Sequence, residues 1–463
     1  MSKNLTLNAG LRWDLDPAPY GVNGKPLYTV NAATAANPSN ITLNPAGSAL
    51  YPTKYNQLQP RIGLAYVANH KTGMETLVKA GFGSFYVPAS GTAMTDSNFW
   101  PYNRATVNFG QLWYSNPASP STIDPTAPYS EQNLLAYSPS FLTPRTYEWN
   151  LSVQQNLGTH KTFTLAYVGS HGSKLTRMAT TSGSEYGYAF GTLAEYFPVD
   201  SSDYNALQAS YVQQMWAGLS LLANYTWSHS LDTASSDSVA SDVFQTPNVQ
   251  GERGPSDFDE RNAANIALDW VAPKLSGNFV KRALLNGWAA SSIFQVHSGN
   301  PITVTFVDYL TSGATVTLRP NITTGVPTYL YGSQYFGGRI LNSKAFNTSF
   351  LSSGAVAEGN EPRGYLTDRG FDELDFSIRR DFKLPGHANL QYRCEVYNLA
   401  NQTSYAPPYS LLGTYSSSTS TFNTYSFFGG VTNTYNNTAT SGTNPTAAVG
   451  GPRSLEMALR LSF

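Results

Sequence analysis

The feature that most limits how this chain can fold is a two-residue alternation of apolar and polar side chains, repeated in segment after segment. It is purest in the closing stretch, RSLEMALRLSF, where Leu455, Met457, Leu459, Leu461 and Phe463 alternate with Ser454, Glu456, Ala458, Arg460 and Ser462. Successive strand side chains point to opposite faces, so such a segment has one hydrocarbon face and one wettable face. The chain opens in the same way, with Leu5, Leu7, Ala9, Leu11 and Trp13 set against Thr6, Asn8, Gly10, Arg12 and Asp14. Further on, Trp149, Leu151 and Val153 face away from Glu148, Asn150, Ser152 and Gln154. Leu219, Leu221, Ala223, Tyr225 and Trp227 oppose Ser220, Asn224, Thr226 and Ser228, with Leu222 breaking the polar side. The pattern predicts strands at 4–14, 59–68, 75–87, 145–157, 161–169, 204–215, 218–229, 261–271, 286–297 or on to 306, 371–384, 388–398 and 453–463. No amphipathic helix competes; residues 276–285 are the one stretch that would tolerate a helical turn.

The connections alternate in length. Residues 15–58, 88–144, 170–203, 230–260, 307–370 and 399–452 are long and rich in Pro, Gly, Ser, Asn and Tyr. Between them lie short turns at 68–73, 158–160, 217–218 and 385–386, and a compact connection at 272–285. Long structureless connections are uncommon inside a compact soluble domain. Outer-membrane barrels, by contrast, place short turns in the periplasm and long loops outside. In lipid only helices and closed barrels pair every backbone N–H and C=O, and no apolar run here approaches the ~18 residues of a membrane helix. The expected fold is therefore all-β: a transmembrane antiparallel up-and-down β-barrel of about twelve strands, in contact with outer-membrane lipid.

This topology sorts the aromatic residues, which make up 13% of the chain. Trp13, Tyr86, Tyr147, Trp149, Tyr167, Tyr225 and Trp227 fall at the outer ends of strands, and Trp216, Trp270 and Trp288 at the inner ends, with Phe463 at the periplasmic rim. Two aromatic girdles are expected of such a barrel. On the opposite face Arg12, Glu148, Asp375, Arg379, Arg393, Glu395 and Arg460 would form a wet, mixed-charge lumen wall. Charged residues are only 12% of the total, about half the share usual for soluble domains. The net charge of -1 argues against a nucleic-acid partner, which needs a basic surface. The lone Cys394 excludes an intrachain disulfide framework and a cysteine-based zinc cluster.

Many segments resemble the TonB-dependent outer-membrane receptors, in particular the Oar-like group with carboxypeptidase-regulatory-like N-terminal domains. They include LTLNAGLRWD at 5–14, PRIGLAY at 60–66, EWNLSVQQNL at 148–157, LLANYTWSHSLD at 221–232, ERGPSDFDERN at 252–262, RPN at 319–321 and GFDELDFSIRRDFKL at 370–384. The resemblance implies a barrel that moves a bulky nutrient across the outer membrane. It also implies that the terminal strand Leu455–Phe463 carries the signal read by the barrel-assembly machinery. Such transporters have ~22 strands around a plugged lumen. The sequence shows neither a plug, nor a signal peptide, nor a TonB-engaging box, so residues 1–463 are expected to be the C-terminal portion of a larger barrel, reaching TonB only through a plug domain. A self-contained passive pore or adhesin is a second reading, in which the first and last strands pair. A secreted carbohydrate-binding β-protein is a third, in which Leu5, Leu7, Leu221, Ala223, Leu459 and Leu461 would be buried beneath a second layer.

Enzymatic chemistry and cofactors are not expected. Glu252, Asp257, Asp259 and Glu260 cluster but fit no EF-hand spacing, and Arg253 and Arg261 offset them, as at a junction with internal ion pairs. Histidines 70, 160, 171, 229, 297 and 387 have no metal-ligand spacing, GFGSF at 81–85 is too short for a dinucleotide fingerprint, and no GxSxG is present. The Tyr-, Ser-, Thr- and Asn-rich stretch at 408–451 suits either an adaptable binding loop or a disordered one.

Overall fold

The computed structural model describes residues 4–19, 29–31, 41–45, 47–87, 129–182, 190–235, 251–309, 315–351, 358–384, 388–434 and 451–463. Its alternating segments hydrogen-bond edge to edge in chain order. The wall runs β1 (Leu5–Asp16), β2 (Lys54–Asn69), β3 (Thr76–Tyr86), β4 (Arg145–Asn156), β5 (Lys161–Ser182), β6 (Phe190–Trp216), β7 (Leu219–Asp232), β8 (Asn262–Val271), β9 (Trp288–His297), β10 (Phe371–Lys383), β11 (Asn389–Tyr397) and β12 (Ser454–Ser462). Every neighbouring pair is antiparallel. Each of these twelve strands overlaps one of the segments predicted from alternation. Two further strands, Tyr129–Tyr137 and Gly254–Pro255, join β6 and β7 to complete a 14-stranded sheet. Among the described residues β1 and β12 do not pair with each other, so the sheet has two edges.

Because directly paired residues share a face, the register can be read across the wall. One line joins Leu7, Leu64, Ala80, Leu151, Tyr167, Leu207 and Trp227. A line on the other face joins Ser220, Asp269, Ser291, Ser377, Glu395 and Glu456. The apolar line lies uncovered: Leu7 is 59% exposed, Leu151 51% and Trp227 57%. None of Leu5, Leu7, Leu221, Ala223, Leu459 and Leu461 is buried, so among the described residues no second protein layer covers this face. An uncovered apolar band of this extent needs a non-aqueous neighbour.

The turns follow from local chemistry. Ala217 and Gly218 both have positive φ, +52° and +83°, as a two-residue type I′ hairpin requires. Gly169 lies opposite Trp149, and a Cβ there would come within 2.4 Å of the indole, so the ring lies over bare backbone. The turn at 385–386, like His387, lies outside the described residues.

One expectation from sequence needs correction. The segment 170–203 is not simply a loop: β5 runs on to Ser182 and β6 begins at Phe190, paired as far as Ser182 and Thr192. Beyond the bilayer no hydrocarbon selects for alternation, so this extension reads as loop composition. The connection at 272–285 holds a short helix, α1 (Phe279–Leu285), in the stretch that the sequence allows a helical turn.

The packed apolar cores lie in the long connections, not in the wall. Tyr51, Leu135, Tyr137, Phe141 and Tyr196 pack together beside the β5–β6 extension, and Val30, Leu134, Ala136 and Leu193 form an adjoining cluster. The largest core joins residues 302–346 to Leu366 and 412–428.

The two faces make opposite demands on charge. Leu151→Arg should lower the folding stability of the chain in lipid vesicles by about 2–4 kcal/mol. Asn150→Arg, one residue away on the wettable face, should lower it by less than about 1 kcal/mol. Urea titration of intrinsic tryptophan fluorescence in vesicles measures both.

Candidate functional site

The long connections fold against one another. Thr305–Tyr309 sits in a four-stranded sheet between Thr315–Leu318 and Leu411–Ser416, with Thr421–Thr424 at the far edge. The pairing of Thr305–Tyr309 with Leu411–Ser416 is parallel and joins the β9–β10 connection to the β11–β12 connection. Val304, Phe306 and Leu318 are fully buried in its core, with Phe346, Leu412 and Phe428 around them. Part of the low-complexity stretch at 408–451 is thus built structure, while 435–450 lie outside the described residues.

This loop module is tied to the wall by buried ion pairs. Arg363, at the end of the module, bonds the Asp232 carboxylate at the tip of β7 and the hydroxyl of Ser235. Arg319 donates to Glu252 at 2.7 Å and to Glu358 at 3.2 Å. All of Asp232, Glu252, Arg319 and Arg363 are buried. Nearby, Arg177 on β5 reaches Asp200 on β6 at 2.8 Å and donates to the Thr233 carbonyl at 2.8 Å, and the Thr233 hydroxyl donates to Asp200 at 2.7 Å. A buried guanidinium whose partner is removed is an uncompensated charge, so these pairs hold the connections in one arrangement.

Between the module and the connection that follows β7 lies a cavity of about 260 Å³. Its lining includes Glu252, Asp257, Arg319 and Arg363, with hydroxyls of Thr303, Thr305 and Ser410 and the rings of Pro407 and Pro408. The buried Nη1 of Arg319 has no hydrogen-bond partner. Glu361, bonded to the module's backbone at Val304, is 2% exposed. One of its oxygens accepts from the Val304 N–H at 3.1 Å and the other has no partner. Burial pushes its carboxyl up to about 8. Burial also raises Glu358, against the pull of Arg319, and lifts Asp368 to about 6 although it accepts from the Asn300 N–H. The arrangement offers hydrogen-bond donors and acceptors of both signs to a polar ligand; among the described residues no cluster suits a metal ion.

The acidic run at 252–260 is an ion-paired junction, as its sequence suggests, but its partners are mostly distant. Asp259 pairs locally with Arg261 at 2.9 Å and with His229 at 3.1 Å. Glu252 and Asp257 instead meet Arg319 and Arg363. Sequence reasoning missed Asp232, Arg319 and Arg363 as a set. Composition does not single the two arginines out, because their connection also holds Arg339 and Arg369 and the carboxylates of Asp308, Glu358, Glu361 and Asp368.

The residues singled out on the wall divide by face. Trp13, Tyr86, Tyr147, Trp149, Tyr167, Tyr225 and Trp227 share the apolar face. The guanidinium of Arg145 lies over the rings of Tyr147 and Tyr86, 4.4 and 5.2 Å from their centres. Trp216, Trp270 and Trp288 lie on the same face at the short-turn ends. Trp216 reaches it only because the register shifts between Gln213 and Trp216. Arg12, Glu148, Asp375, Arg379, Arg393, Glu395 and Arg460 lie on the wettable face. There Arg379 is paired with Arg393, and Glu395 with Glu456. Leu455, Met457, Leu459 and Leu461 line the apolar face of β12, and Phe463 is almost wholly exposed.

A family model described as outer membrane beta barrel domain matches residues 1–443. No curated protein sequence matches the chain. Among solved structures, the outer membrane transporter YddB from Escherichia coli is similar at 10% identity and TM-score 0.47, over 90% of this chain and 41% of that one. The ferripyoverdine receptor of the outer membrane of Pseudomonas aeruginosa is similar at 11% identity and TM-score 0.41, over 99% of this chain and 36% of that one. The ferric-catecholate import receptor Fiu from E. coli K12 is similar at 10% identity and TM-score 0.40, over 100% of this chain and 43% of that one. The chain thus spans about two fifths of the length of these structures.

Two outcomes follow from the buried charges. Arg363→Ala should strand Asp232 and cost the loop module about 3–5 kcal/mol, read as lost hydrogen-exchange protection in 301–318 with the wall amides unchanged. Glu361 binds a proton in the folded module at pH values where the unfolded chain has released it. Its contribution is therefore most favourable below the unfolded value of 4.5 and declines as pH rises toward about 8, at up to about 1.4 kcal/mol per pH unit. Glu361→Gln should flatten that decline in the same exchange measurement.

Proposed function

The chain belongs to the family of outer membrane β-barrel domains, and from that premise we propose that it forms the C-terminal part of the wall of a TonB-dependent transporter that takes up a bulky nutrient. Its place is the cell outer membrane. The observation that carries the reading is a line of apolar residues on the wettable face. Val212, Leu222, Ala267 and Ile293 are paired in succession across β6 to β9, and Leu222 and Ile293 are 42% and 47% exposed. A water-filled pore gains nothing from such a line, because exposed hydrocarbon costs free energy in proportion to its area. A lumen occupied by a plug domain would bury it. The charged side chains Arg379, Arg393, Glu395 and Glu456 on the same face suit polar contacts with that plug.

The two sheet edges support the same reading. Unpaired strand edges are not tolerated in hydrocarbon, so β1 and β12 require partners, and further strands of a larger barrel supply them. TonB is then engaged through the plug, and the terminal strand with Phe463 is what the barrel-assembly machinery reads. The loop module and its mixed-charge cavity stand at the end where an arriving ligand is met.

Cysteines at Asn8 and Ala458, in a Cys394→Ser background, test this against the self-contained pore. We expect no disulfide between β1 and β12 in refolded chain and no steady conductance in planar bilayers. Efficient cross-linking together with a stable channel would make the chain a passive pore.

A further inference from the structure

The connection between β8 and β9 is the one short-turn connection that carries a helix among the described residues. The sequence from Ala272 to Gly287, APKLSGNFVKRALLNG, holds Lys274, Lys281 and Arg282 and no acidic residue. Asn278 caps α1 by accepting from the Lys281 N–H at 2.9 Å. Asn286 closes the connection on itself, accepting from the Leu275 N–H at 2.8 Å and donating to its carbonyl at 3.1 Å. The connection is therefore a built element. Its hydrocarbon is nevertheless uncovered: Val280 and Leu284, four residues apart on one helix face, are 60% and 59% exposed, and Leu275 and Leu285 are each 45% exposed.

The helix sits on the apolar side of the wall. Trp288, which shares that face with Ala290 and Trp270, donates from its indole N–H to the Leu284 carbonyl at 3.0 Å. The exposed side chains of α1 thus continue the apolar band at its short-turn rim. Cations gather on the same rim. Arg380, directly paired with Trp288, has its guanidinium 5.0 Å from that ring and 4.4 Å from Phe382. It is 8% exposed and its Nε has no hydrogen-bond partner. Lys161 lies 4.3 Å from the Trp216 ring. Asp269 and Asp381, next in sequence to Trp270 and Arg380, stand on the other face.

We propose that α1 and its flanking residues form an interfacial foot that binds anionic glycerophospholipid in the periplasmic leaflet. The inference rests on the topology above, in which short turns face the periplasm. Val280, Leu284 and Leu285 enter the boundary between headgroups and acyl chains, as the apolar face of an interfacial helix does. Lys274, Lys281 and Arg282 meet the phosphates, and Arg380 holds a headgroup oxygen at the wall.

The test uses the 463-residue chain refolded in vesicles, with Cys394→Ser and an environment-sensitive dye on Val280→Cys. Brominated phosphatidylglycerol and brominated phosphatidylcholine are compared as quenchers. The expected result is quenching at 280 with phosphatidylglycerol preferred, the preference falling about fivefold for each of Lys274→Gln, Lys281→Gln and Arg282→Gln. Labels on Leu151→Cys and Thr419→Cys separate the possible failures. If 151 is quenched by lipid while 280 is reached only by aqueous iodide, the foot is overturned and the wall stands. If 280 is quenched equally by both lipids and the three Gln variants change nothing, headgroup binding is overturned. If 151 also reports water, the membrane reading itself fails.

Discussion

A peptide N–H or C=O left unpaired in hydrocarbon costs several kcal/mol, and this cost organises the molecule. Wall strands cannot satisfy their own backbone, so each must hydrogen-bond to a neighbour along its full membrane-crossing length. The antiparallel order of twelve strands in chain sequence is the simplest way to do so with short turns on one side. Once the register is set, the two-residue period fixes which side chains meet lipid. A slip by one residue would turn Leu151 inward and Glu148 toward the acyl chains. The register is therefore held by the bilayer as well as by the hydrogen bonds.

The same constraint explains where the packed cores are. A wall with lipid outside and a wettable surface inside has no interior of its own. Its apolar residues stay uncovered, and the conventional cores form only where the chain leaves the membrane. There water returns, hydrocarbon burial again drives folding, and connections that look like loops become small sheets with buried aromatics. Ion pairs then become the joints. Arg319 and Arg363 link the loop module to residues at the tip of β7 and in the connection after it, which ties the module to the wall without a large apolar interface.

How far the sequence could be read depended on how local the responsible force was. The terminal strand, β1, β4 and β7 were legible residue by residue, because alternation against lipid leaves its mark on every second position. The extension of β5 and β6 was not, because outside the bilayer strand pairing makes no such demand. Trp216 illustrates a narrower limit. Its face depends on a register shift after Gln213, and a bulge displaces the alternation without announcing itself in composition. The salt-bridged joints were hidden for another reason: Arg363 and Asp232 are 131 residues apart, and nothing in the neighbourhood of either names the other.

The sequence by itself determined the class of fold, the number and order of wall strands, the residues that share the apolar face and the alternation of long and short connections. Each of these follows from a periodic or positional property that single residues carry. Only the tertiary structure decided that two distant connections share a parallel pairing and one core, that a polar cavity opens between them and the connection following β7, and that α1 is hooked by Trp288 onto the apolar rim. Those arrangements depend on contacts between residues far apart in the chain, whose energies exist only once the strands have brought them together.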